Sequence, residues 1–272
     1  MELLDLTSGE RLAVEEHGRG APIVLLPGIL GTRETWRPVA EALAHEHRVV
    51  LLDLVGFGDS SRPGGLDAIW ADAQAVAVAE ALDILGVSDA TVATHDFGGP
   101  VSAHLLADRP DLVARLCLCS TNVTSDTPIP MPIAAITWPL AGRVVERVLM
   151  SGPALSMSAR RAIGKTAEPV RIEPGDAGQR RSARLIFGAA LRELSERYRP
   201  IEAALAAGRV PTLVLWGDRD PFFGLDQGRR TAELVGARFR FYRGAGHFLP
   251  LERPNDVARE LAAFAAADVV AV

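Results

Sequence analysis

Within 272 residues the chain holds 48% hydrophobic side chains, enough for a substantial core in one large α/β sheet with an inserted lid and no second independent domain. Its 29 basic and 34 acidic residues give a net charge of −5, which excludes electrostatic attraction to nucleic acid or an anionic membrane and makes small molecules the expected partners. The acidic start Met1–Thr7 lacks the basic-then-apolar layout of a signal peptide, and no apolar run reaches membrane-spanning length, so a cytoplasmic location is expected.

In chain order, apolar runs predict strands near 2–6, 11–17, 22–27, 48–53, 90–95, 113–120, 211–216 and 238–243. Helical patterns fall between them near 34–45, 67–85, 98–108, 226–234 and 254–266, with Asp67 as a cap for the second and Pro254 in the first turn of the last. This alternation is that of a mostly parallel sheet covered on both faces, whose ligands bind at the carboxyl ends of the strands. Cys117 and Cys119 share one face of a strand, where burial as small apolar residues is expected and a disulfide is not. Between the sixth and seventh strands, over residues 122–205, the rhythm changes: the proline-rich Thr127–Pro132 is followed by helical stripes through Ile136–Met150 and Ala183–Ala206. The expected division is therefore a main domain of 1–121 and 206–272 with a helical insertion at 122–205.

The chemistry concentrates at three strand ends. Thr94-His95-Asp96-Phe97-Gly98 has the small-x-nucleophile-x-Gly spacing of a strand-turn-helix elbow, with a carboxylate at the apex. A serine there needs a base to remove its proton, whereas a carboxylate, with an ordinary pKa of about 4, is ionised at neutral pH. Asp218 and Asp220 follow the seventh strand, and His247 follows the eighth between Gly246 and Phe248, in a loop where packing does not call for a histidine. His95 precedes the apex and is expected to satisfy backbone groups beneath it, and no His, Cys and carboxylate spacing suggests a metal or another cofactor.

With Leu26-Pro27-Gly28-Ile29-Leu30 and Asp53-Leu54-Val55-Gly56-Phe57-Gly58-Asp59-Ser60, the elbow and the Gly217-x-x-Asp220 and Gly246-His247-Phe248 landmarks, the chain resembles the α/β-hydrolase superfamily along nearly its whole length. The order nucleophile, acid, histidine is that family's, and the aspartate apex resembles the branch of epoxide hydrolases and haloalkane or haloacid dehalogenases. The resemblance implies an α/β-hydrolase fold, with a mostly parallel eight-stranded sheet, helices on both faces and a helical cap at 122–205. It also implies Asp96 as nucleophile, His247 as base, Asp220 three residues after Gly217 as the acid, and the N–H groups of Ile29 and Phe97 as the oxyanion hole. Pro27-Gly28-Ile29-Leu30 stands where the family carries His-Gly-x-Pro, so both flanking residues of that motif differ. Tyr198, in Glu196-Arg197-Tyr198-Arg199-Pro200, matches the position where both epoxide hydrolases and fluoroacetate dehalogenases carry a pocket-facing tyrosine before an arginine. Trp138, in Ala135-Ile136-Thr137-Trp138-Pro139, matches the early-cap position of the other tyrosine of epoxide hydrolases, so these two are the expected partners of the epoxide oxygen.

Departures from the family sort the branch. Haloalkane dehalogenases carry a tryptophan donor directly after the nucleophile, where this chain has Phe97. Fluoroacetate dehalogenases carry arginines one and four residues after it, where this chain has Phe97 and Pro100. An epoxide opens to an alkoxide that must be protonated, work suited to a phenol of pKa about 10. The expected activity is thus epoxide hydrolysis of an apolar small molecule through an alkyl-enzyme ester. A dehalogenase is the alternative, and a ligand-binding relative in which Asp96 forms no ester is a second.

Overall fold

The computed structural model describes residues 1–164, 172–208 and 210–267. Eight strands form one sheet: β1 (Glu2–Asp5), β2 (Arg11–His17), β3 (Ala21–Leu26), β4 (His47–Asp53), β5 (Ala90–His95), β6 (Val113–Cys119), β7 (Thr212–Gly217) and β8 (Arg238–Tyr242). Their order is β1-β2-β4-β3-β5-β6-β7-β8. β2 runs antiparallel to both neighbours, and every pairing from β4 through β8 is parallel. All eight strands lie within about a residue of their expected bounds, because runs such as Ile23-Val24-Leu25-Leu26 are apolar on both faces, as the central strands of a covered sheet must be.

The period of two in those runs divides the core. Ile23, Leu25, Val49, Leu51, Cys117, Cys119, Leu213 and Leu215 face one side, where they meet Val39 and Leu43 of α1 (Arg37–Leu43), Trp36 just before it and, from the C-terminal helix, Val257 and Leu261. Val24, Leu26, Val50, Leu52, Val92, Leu116 and Leu118 face the other side, against α2 (Ala71–Ile84) and α3 (Gly98–Asp108). Both cysteines are free and buried, and burial pushes their thiols up, away from ionisation.

Between β6 and β7 the chain builds α4 (Gly142–Leu149), α5 (Gly152–Ala162), α6 (Ala177–Arg192) and α7 (Leu194–Ala207). The expected stripe over Ala183–Ala206 is thus two helices, divided at Glu193, whose φ of −120° and ψ of 29° interrupt the helix. Tyr198, Ile201 and Leu205 of α7 join the core beside α3, so this helix is anchored to the sheet domain by burial worth roughly 1.5–3 kcal/mol for each large apolar side chain. After β7 come α8 (Leu225–Leu234), β8, α9 (Leu249–Glu252) and α10 (Pro254–Ala266), with Pro254 in the first turn as expected. Asp67 does not cap α2. The N–H groups of Ile69 and Trp70 close a turn on the Leu66 carbonyl, which places the helix start at Ala71 with Trp70 before it. Among the described residues no helix is long and apolar enough to cross a membrane.

Candidate active site

Asp96 has a φ of +50°, a backbone conformation that a side chain enters at a cost of about 1–3 kcal/mol and keeps only where its surroundings enforce it. Here its N–H donates to the Cys119 carbonyl at 3.2 Å, and its carbonyl accepts from the Thr121 hydroxyl at 2.6 Å. The turn lifts the carboxylate off the end of β5 toward the loop after β3. There the Ile29 N–H donates to Asp96 Oδ2 at 2.8 Å. Gly28 makes this approach possible: a Cβ on it would lie 2.3 Å from Asp96 Cβ and 2.4 Å from Oδ2. The altered residues flanking this glycine therefore leave the Ile29 N–H aimed at the carboxylate, while the Phe97 N–H makes no hydrogen bond to it.

His247 meets the same carboxylate from the end of β8. Its Nδ1 lies 2.9 Å from Asp220 Oδ2, and its Nε2 lies 3.9 Å from Asp96 Oδ1, beyond hydrogen-bond length. Asp220 Oδ1 accepts from the N–H groups of Phe222 and Phe223 at 2.9 and 3.0 Å, which fixes the carboxylate with one oxygen toward the imidazole. Of the two aspartates after β7, Asp220 reaches His247, whereas Asp218 accepts the Gly244 N–H at 2.7 Å. The rings of Phe222, Phe223 and Phe248 stand edge-on to the His247 ring at 5.0–5.6 Å between centroids and shield it from water.

Burial by itself lowers the His247 pKa. The charge and hydrogen bond of Asp220, with the charges of Asp96 and Glu252, more than offset it and hold the imidazole above its ordinary value. His95 beneath it behaves oppositely: burial, and then the neighbouring His247, push it down to about 4. It is therefore neutral at neutral pH, and its Nε2, 2.9 Å from the His247 carbonyl, donates to it. This is the backbone role expected of His95.

The two expected leaving-group residues part company. Tyr198 is buried in α7, its ring edge-on to Trp70 at 6.2 Å, and burial, then the nearby Asp96 charge, push its phenol up, against a smaller opposing effect of the Asn122 side chain. Its phenol is thereby kept protonated near the Asp96 carboxylate. Trp138 is not at the site. It is 53% exposed at the end of the 3₁₀ turn Ile133–Thr137, which turns Ala135 and Ile136 inward and leaves the indole outside. The indole that does reach the site is Trp70, 5.5 Å from the Phe97 ring and capped on its outer face by the Arg197 guanidinium at 4.5 Å. No local pattern marks it, since these neighbours come from two distant segments of the chain.

The family model described as alpha/beta hydrolase fold matches residues 21–142. A protein of Mycobacterium tuberculosis is 26% identical over 253 residues, covering 88% of this chain and 74% of that one. The soluble epoxide hydrolase of Corynebacterium sp. (strain C12) is 34% identical over 133 residues, which is 47% of this chain and 46% of the relative. Among solved structures, a thermophilic esterase from Thermogutta terrifontis superposes with a TM-score of 0.78 at 25% identity, covering 97% of this chain and 98% of its own. The chain thus has the α/β-hydrolase fold, and its likenesses of sequence and structure are to proteins of that fold.

Proposed function

We propose that this hydrolase opens an epoxide to a vicinal diol through an alkyl ester on Asp96. The observation that carries the reading is a carboxylate at the apex of the elbow, one oxygen tied to the Ile29 N–H at 2.8 Å and the other facing His247 Nε2 at 3.9 Å. The two oxygens are thereby unequal. Oδ1 attacks an sp³ ring carbon, the carbon–oxygen bond breaks, and the alkoxide takes the Tyr198 phenolic proton. Although raised, a phenol remains a stronger acid than an alcohol, so this transfer is downhill. Oδ2 becomes the ester carbonyl oxygen, already on its hydrogen-bond donor. His247 Nε2 then takes a proton from water as the water oxygen attacks Asp96 Cγ, and the charge developing on Oδ2 is held by the Ile29 N–H, joined by that of Phe97 as the carbonyl carbon becomes tetrahedral. Collapse expels the alkyl oxygen, which takes the proton held by His247, and the proton of the new Cγ–OH restores the Tyr198 phenol, so the Asp96 carboxylate returns and the diol leaves. The similarity to a soluble epoxide hydrolase over 133 residues supports this reading, and the aromatic surround of Trp70 and Phe97 suits an apolar substituent.

Single turnover in H₂¹⁸O tests it. One ¹⁸O should enter the peptide that carries Asp96, and a terminal epoxide should yield diol while a bromoalkane yields no bromide. Bromide release without diol would instead support the dehalogenase, and ligand-dependent thermal stabilisation with no label in Asp96 would support the binding relative.

A further inference from the structure

At the end of α5 the inserted segment touches the loop that carries His247, and it does so backbone against backbone. The His247 N–H donates to the Ala162 carbonyl at 2.8 Å. A Cβ on Gly164 would lie 2.1 Å from the Gly244 carbonyl oxygen, and one on Gly246 would lie 2.0 Å from the Ala162 oxygen, so both glycines are required at this distance. Glu252 closes the junction. Its Oε2 accepts the N–H groups of both Gly164 and Gly246, at 2.8 and 2.7 Å, and its Oε1 accepts that of Phe248 at 3.0 Å. The side chain is 8% exposed, so these three bonds stand in for the water it has lost.

We propose that Glu252 is a positioning residue that latches the Ala162–Gly164 turn of the inserted segment to the Gly246–Phe248 loop, and thereby sets His247 for water activation. The main chain of His247 is held by its N–H from the inserted segment and by its carbonyl from His95. Seating the segment that bears Tyr198 and seating the base are then one event. The role rests on the two-step reaction proposed above, because it separates base placement from nucleophilic attack. Asp96 draws its hydrogen bonds from Cys119, Thr121 and Ile29 and none from this junction.

Glu252→Gln is the test. An amide cannot accept at both ends, so whichever way it is turned at least one of the three N–H groups faces a donor. Ester formation on Asp96 should stay within about threefold of wild type, whereas a misplaced base should slow ester hydrolysis by roughly 10–100-fold and make the ester accumulate in intact-mass spectra. Gly164→Ala, which pushes the turn off from the other side, should give the same partition and serves if Glu252→Gln does not fold. A second readout needs no substrate: the downfield proton resonance of His247 Nδ1, identified by its loss in His247→Gln, should broaden in both variants. A folded variant that melts earlier but keeps the wild-type partition and resonance would reduce Glu252 to a structural brace and overturn the proposal. If wild type forms no ester, the proposed reaction fails, and the latch is then judged on the resonance alone.

Discussion

Gly28→Ala should disable the candidate site while leaving the fold intact. The new Cβ would stand 2.3 Å from Asp96 Cβ and 2.4 Å from Oδ2, against roughly 3.5 Å for an ordinary carbon contact. Relief therefore needs a separation of about 1 Å between the loop and the carboxylate. Ile29 follows Gly28 in the chain and moves with it, so the 2.8 Å bond from its N–H to Oδ2 stretches beyond hydrogen-bond length. Losing one oxyanion donor lowers turnover by about 10²–10³-fold, or roughly 2.7–4 kcal/mol. The larger share should fall on ester hydrolysis, where the charge on Oδ2 develops. Rapid-quench mass spectrometry on a terminal epoxide resolves the two steps, and circular dichroism and a melting curve report the fold. A folded variant hydrolysing the ester within threefold of wild type would refute the assignment of the Ile29 N–H.

His247→Gln should complete the first step and stall at the second, so intact mass should rise by that of the substrate; an inactive variant that never gains this mass would place His247 before attack. Tyr198→Phe should slow epoxide opening by roughly 10²–10⁴-fold without slowing hydrolysis of the ester once formed, whereas Trp138→Phe, at a side chain 53% exposed, should match wild type in both steps; single-turnover rates decide, and a slow Trp138→Phe would bring that indole back to the site. Asp220→Asn removes a charge and hydrogen bond that raise His247, so the acid limb of ester hydrolysis should move to lower pH as the plateau rate falls; a limb that stays in place in stopped-flow across a pH series would show that another group titrates.

The strands and the three strand-end residues were legible because their signals are local. Pro22–Leu26 and Thr91–Thr94 announce covered strands by composition, and Asp96, Asp220 and His247 follow β5, β7 and β8 with glycine or proline within two residues of each. Asp67 misled because a side chain suited to capping says nothing about the turn at Leu66–Trp70, which closes on a backbone carbonyl and starts the helix later. Trp138 misled for a related reason. Which face of a short 3₁₀ turn looks inward is decided by packing against the rest of the inserted segment. Trp70 and Glu252 were invisible in a different way: the first is defined by rings from Phe97 and Tyr198, and the second by backbone N–H groups, which every residue except proline possesses and no sequence pattern displays.

A carboxylate at the elbow also changes when the imidazole is available. In the free enzyme Asp96 and Asp220 both raise His247 against the opposing effect of its burial. In the proposed reaction esterification removes the Asp96 charge and leaves the burial unchanged, so the pKa of the imidazole falls when the ester forms. Its free-base form is then favoured at the step that needs a proton taken from water, and not before. A serine at the apex would reverse this sequence, since the base would have to act on the nucleophile first and would find no charge there to be cancelled. The second oxygen of Asp220 is fixed by the Phe222 and Phe223 N–H groups, so the orientation of the ring persists while its proton affinity changes. In the proposed reaction the charge on residue 96 thus acts twice, as the nucleophile of the first step and, by its disappearance, as the switch that readies the base for the second.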